Sequence, residues 1–156
     1  MSMEFYKQTG FWKKSTQYKP GEPLTNEKLI KVEEHLGRQL PASYVTLMKA
    51  QNGGELKHRY VLFEDGEAAI IPYFYEVDLD HGIGLTPVFI EECGLPEGLV
   101  LLTGDLHSWL ALDYRKSKDP SVVYISEDES ESGLWEEYPL ALTFSEFTAR
   151  LFRKEG

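Results

Sequence analysis

The spacing of apolar residues changes near residue 56, and the change separates a helical stretch from a mostly strand-forming one. Before it, Leu29, Val32 and Leu36 recur every three or four positions, the spacing that gathers side chains on one helical face. Thr25 offers a hydroxyl to cap the first turn and Gly37 the left-handed position at which helices commonly stop, so a helix is predicted over 26 to 36. Pro41 suits the first turn of a second helix with Tyr44, Leu47 and Met48 on one face, and Asn52, Gly53 and Gly54 end it. Beyond residue 56 the period falls to about two, and β-branched and aromatic runs predict strands over 58 to 64, 68 to 75, 99 to 103, 108 to 114 and 121 to 126. Asp65 and Gly66 form a tight turn between the first two strands, and the turn at Asp119 and Pro120 pairs the later ones antiparallel. A short helix over 87 to 92 interrupts the strands. Thr143 or Ser145 starts a terminal helix that turns Phe144, Phe147 and Leu151 toward the sheet. This order is α+β: a mostly antiparallel sheet of about five to six strands, flanked by an N-terminal helix pair and a C-terminal helix.

Residues 1 to 24 read as an irregular arm, broken by Gly10, Pro20, Gly21 and Pro23, that packs on the body through Phe5, Tyr6, Phe11 and Trp12; residues 25 to 156 form one domain. With 42% hydrophobic residues in a chain of 156, one ordinary core is expected. No apolar run approaches the roughly 20 residues of a membrane span. Cys93 is the only cysteine, which excludes an internal disulfide, and residues 1 to 18 lack a secretory pattern, so a cytoplasmic protein is expected.

Charge changes the picture more than composition does. Residues 1 to 59 carry 10 basic and 6 acidic groups, residues 60 to 149 carry 3 and 19, and residues 150 to 156 carry 3 and 1. From Tyr60 to Tyr114 there are 11 carboxylates and no Lys or Arg. Such a surface repels phosphate backbones, which excludes direct nucleic-acid binding and disfavours a DNA-reading use of the helix pair. A basic protein is the partner this charge suits; a homo-oligomer is also compatible with it.

Candidate chemistry is sparse. Asp78, Asp80 and His81 form a D-x-D-H cluster of the type that holds a hard cation, but counted as a calcium loop its sixth and twelfth positions are Ile83 and Phe89 where Gly and Glu are required. His107 and Ser108 are strand neighbours and point to opposite faces, which disqualifies them as base and nucleophile. Glu127, Asp128, Glu129 and Glu131 read as an exposed loop rather than as a catalytic carboxylate pair, and no phosphate-binding glycine motif occurs. No catalytic residue, cofactor or metal is therefore assigned. The aromatic residues of the acidic half suggest instead a groove rimmed by carboxylates. Tyr73, Tyr75, Glu76, Asp78, Asp80, Trp109, Asp113, Glu127, Asp128 and Glu129 are its candidate contact residues.

Leu36, Gly37, Leu40, Pro41, Tyr44, Leu47, Asn52, Gly53 and Gly54 spell L-G-x-x-L-P-x-x-Y-x-x-L-x-x-x-x-N-G-G. Leu110 to Tyr114, Val122 to Tyr124 and a last helix with Phe144, Phe147 and Leu151 continue the pattern. Over about residues 25 to 153 the chain resembles the SUKH superfamily, which includes the yeast cell-wall assembly regulator and many bacterial immunity proteins. The resemblance implies a sheet with flanking helices, no catalysis, and in bacteria a protein that grips a toxin, often a nuclease. A regulatory interaction module without a toxin, and a hydrolase using the acidic cleft, are the alternatives.

Overall fold

A computed structural model describes residues 2–14, 20–127 and 134–155. Its strands are β1 (Ser2–Phe5), β2 (Gly54–Glu55), β3 (Tyr60–Leu62), β4 (Ala68–Ile70), β5 (Tyr73–Phe74), β6 (Leu99–Gly104), β7 (Ser108–Asp113), β8 (Ser121–Glu127), β9 (Trp135–Ala141) and β10 (Phe152–Glu155). Its helices are α1 (Asn26–Leu36), α2 (Ala42–Ala50), α3 (Thr86–Cys93) and α4 (Phe144–Arg150). The class is α+β and every strand pairing is antiparallel among the described residues. The strands form three sheets, ordered β1-β10-β3-β4, β2-β5 and β6-β7-β8-β9.

The helix signals act as local chemistry dictates. The Thr25 hydroxyl accepts the Lys28 N–H at 3.1 Å, Gly37 closes α1 in the left-handed region, and Val32 is fully buried beneath the helix. Pro41 stands one position ahead of α2, whose Tyr44 and Met48 reach the core. Thr143 caps α4 by accepting the Glu146 N–H at 3.1 Å, and Phe144, Phe147 and Leu151 are buried.

Three expectations are corrected. The arm is not irregular throughout, because Ser2–Phe5 pairs with β10 along its whole length and Trp12 bridges Leu56. The predicted strand over 68 to 75 is two strands: Pro72 has no N–H to give to a ladder, so β4 joins β3 while β5 leaves for β2. The strands number ten because four more, β1, β2, β9 and β10, add to those predicted.

The sheet β6–β9 is covered on both faces. On one, Val100, Leu102, Leu110, Leu112 and Val122 join the main core with Tyr44, Phe74, Phe144 and Phe147. On the other, Leu101, Trp109, Ala111, Val123 and Ile125 lie with Phe89 and Ile90 of α3. Burying each such aliphatic or aromatic side chain is worth about 1.5–3 kcal/mol, so both faces hold this sheet rigid. The hairpin β3–β4 is placed against it by Phe63, whose ring lies 5.3 Å from Tyr124 and 4.9 Å from Tyr138.

Asn52 ties the end of α2 to the segment that follows β5. Its Nδ2 donates to Glu22 O at 2.8 Å and Val77 O at 3.1 Å, and its Oδ1 accepts Val77 N–H at 2.8 Å. Gly53 follows at φ 94, and a Cβ there would stand 3.0 Å from Glu76 N and Phe74 O, closer than side chains pack against main chain.

Candidate functional site: an acidic aromatic groove

Between the β3–β4 hairpin and the sheet β6–β9 runs a groove of about 580 Å³. The turn that shapes one wall is held by Asp65 Oδ1, which accepts the Glu67 N–H at 2.9 Å, and by the Phe63 N–H, which donates to Glu67 O at 2.8 Å. Across the groove, Asp105 organises the turn between β6 and β7. Its Oδ1 accepts the N–H of His107 at 3.0 Å, the N–H of Ser108 at 2.9 Å and the Ser108 hydroxyl at 3.2 Å. Burial works to raise the Asp105 pKa, but these hydrogen bonds outweigh it and hold the carboxyl below its ordinary value, so it is a fixed negative charge. The next residue, Leu106, takes φ 78 and exposes 57% of its surface, an unfavoured left-handed conformation at the groove's end.

Phe63, Tyr124 and Tyr138 form the aromatic floor, and Asp65, Glu67 and Asp105 stand on the rim. A recess of about 70 Å³ continues toward Tyr73, Gly104 and Trp109. Among the described residues, no Lys or Arg lines either part. At the same end of the sheet His107 Nδ1 lies 2.9 Å from Glu127 Oε2; that hydrogen bond and charge raise the His107 pKa above its ordinary value. The Ser108 hydroxyl is engaged by Asp105 and His107 by Glu127, so serine and imidazole do not form a nucleophile with its base.

The candidate contact residues do not all meet here. Tyr73 lines the recess, its ring 6.0 Å from that of Tyr75, and the Tyr75 hydroxyl donates to Gly104 O at 2.9 Å. Glu127 is at the same end of the sheet. Trp109 is corrected: it is 1% exposed, packed 5.1 Å from Phe89 under α3, and offers a partner no surface. Its Nε1 has no hydrogen-bond partner among the described residues. Asp113 closes the far end of β7, five residues and roughly 17 Å from Ser108 at about 3.4 Å per residue. There Arg115 bonds both Asp113 and Glu137, so half of this pair's negative charge is cancelled from within. Asp78 is likewise held, with Lys28 at 3.2 Å and the Asp80 N–H and His81 Nδ1 on its other oxygen; Glu76 and exposed Asp80 belong to this neighbourhood and not to the groove. Asp128 and Glu129 lie outside the described residues. Among the described residues no three His, Cys, Asp or Glu side chains converge as metal ligands.

Asp65, Glu67 and Asp105 are absent from the candidate set, and the aromatic residues that face them are Phe63, Tyr124 and Tyr138. The signal for Asp65 and Glu67 is the Asp-Gly turn itself, which places acids on a hairpin tip. A larger cleft of about 1060 Å³ includes Asp113, Arg115, Lys116, Glu137 and Arg150; its mixed charges give it no preference for a partner of one sign.

Residues 23–150 match the family model described as SMI1 / KNR4 family (SUKH-1). The chain belongs to this family. No curated protein matches it. The groove lies wholly inside the SUKH-1 match, whereas β1 and β10 lie outside it. The motif that carries the resemblance is architectural in this SUKH-1 domain: Leu40 and Tyr44 fill the core, and Asn52 and Gly53 fix the segment that follows Tyr73 and Tyr75.

Proposed function

We propose that this SUKH-1 domain is a non-catalytic immunity protein that binds and neutralises a cognate basic toxin, with the acidic aromatic groove as the seat. The supporting observation is the coincidence of Asp65, Glu67 and Asp105 with Phe63, Tyr124 and Tyr138 in a groove with no Lys or Arg in its lining. Aromatic side chains supply rigid apolar contact area, and unpaired carboxylates speed encounter with a positive partner and select against negative ones. A nuclease fits this role physically, because a site that attracts a polyanion is basic and an acidic surface imitates its substrate's charge. Tyr73, Tyr75 and Glu127 extend the proposed contact toward the recess.

The test is to mix the protein with the product of the neighbouring gene and follow association at several salt concentrations. A complex whose association rate falls with salt, and falls further in the double variant Glu67→Gln, Asp105→Asn, is expected. No complex at low salt, or a double variant with wild-type salt dependence, sinks the proposal.

A further inference from the structure

The wall of the groove opposite Asp105 is the open edge of a sheet. In the order β1-β10-β3-β4 no strand lies beyond β4 among the described residues. In an antiparallel ladder, residues that exchange main-chain bonds with the neighbour alternate with residues whose N–H and C=O point away from it. The Ile71 N–H donates to Arg59 O at 2.6 Å and the Phe63 N–H to Glu67 O at 2.8 Å, which fixes the phase: residues 67, 69 and 71 face β3. Ala68 and Ile70 therefore turn their main-chain groups outward, and both residues line the groove. Neither makes a main-chain bond to another loop or strand among the described residues. The Ile70 side chain is 54% exposed and Ala68 is exposed as well.

We propose that the partner enters the groove as an extended, Lys- or Arg-bearing segment that adds a strand to β4, bonding the outward groups of Ala68 and Ile70. Strand addition draws its affinity from main-chain bonds and its specificity from alternate side chains. Here one set of those side chains meets the Phe63, Tyr124 and Tyr138 rings and the Asp65, Glu67 and Asp105 carboxylates. Pro72 ends the edge after Ile70 and so limits the addition to a short segment.

This inference rests on the groove being the partner's seat, and the test separates the two. The probe is a capped heptapeptide of alternating lysine and valine, with two further forms N-methylated on the lysine or on the valine amides. Binding is measured to the wild-type protein, to Ala68→Pro and Ile70→Pro, which remove outward N–H groups without touching the ladder to β3, and to the double variant Glu67→Gln, Asp105→Asn. Expected are a loss of about tenfold or more in each proline variant, a loss of about tenfold in one methylated form but not the other, and weaker binding to the charge variant. If only the charge variant weakens binding, strand addition is overturned and the groove stands. If the peptide does not bind, or the charge variant binds it as the wild type does, both fall. The methylated peptides decide the matter even if a proline variant does not fold.

Discussion

Replacing Asn52 with alanine strips three hydrogen bonds from a side chain that is 2% exposed. The variant leaves Val77 N–H and Val77 C=O buried without partners, while Glu22 C=O is close enough to the surface to recover water. An unsatisfied buried group costs about 1–3 kcal/mol, so two of them, with partial relaxation, give a destabilisation of about 2–4 kcal/mol. In a domain of this size that lowers Tm by about 5–15 °C. Asn52→Asp sharpens the test. It keeps the volume and the acceptor for the Val77 N–H but sets a carboxylate oxygen against two carbonyl oxygens, and it is expected to cost more than alanine. Urea unfolding with the m-value checked for constancy measures both. An alanine variant within about 0.5 kcal/mol of wild type, or an aspartate variant more stable than alanine, refutes the assignment of Asn52 as the tie between α2, the arm and the segment that follows β5.

The Tyr44 hydroxyl is fully buried with no partner among the described residues, and burial raises its pKa far above the ordinary value, so Tyr44→Phe is expected to leave stability unchanged or raise it by about 1 kcal/mol; a loss larger than that in thermal unfolding contradicts the view of the hydroxyl as unsatisfied. His107 is expected to titrate above its ordinary 6.5 in an NMR pH series, and Glu127→Gln to return it toward that value, because the Glu127 hydrogen bond and charge favour the imidazolium. The raised folded pKa makes the contribution of this pair complete below the unfolded pKa and lost as pH rises through the folded one, and a His107 pKa indifferent to Glu127→Gln contradicts the pairing.

The parts of the fold that were legible in the sequence are those written in local chemistry. Thr25 and Gly37 bound α1, Asp65 and Gly66 make the hairpin, and β6, β7 and β8 announce themselves by apolar runs. The missed strands are made by partners far away in the chain. β10 is the four residues Phe-Arg-Lys-Glu directly after a helix, and only its pairing with β1 and β3 makes it a strand. β9 contains Pro139 and two glutamates, an unpromising strand composition that an edge position tolerates. Trp109 departs from its expected place on the surface for a related reason. Alternation separates inside from outside only when one face is wet, and β7 is covered on both, so its tryptophan faces α3 instead of a partner. The carboxylate count was legible, but Lys28 and Arg115 each reach acids in sequence-distant or neighbouring positions and cancel part of their charge, which no tally along the chain reveals. The groove assembles from residues 63 to 73, from residues 103 to 110, and from Tyr124, Ser126 and Tyr138, brought together only by tertiary packing.

The position of β10 between β1 and β3 sets an order of events during synthesis. The ribosome releases residues 2–5 and 60–70 long before residues 152–155, so β1 has no strand to pair with and β3 an uncovered side while the rest of the SUKH-1 portion emerges. Throughout that interval the hairpin that will wall the groove has both edges bare, and it is then that a nascent molecule is most open to capture by a wandering strand.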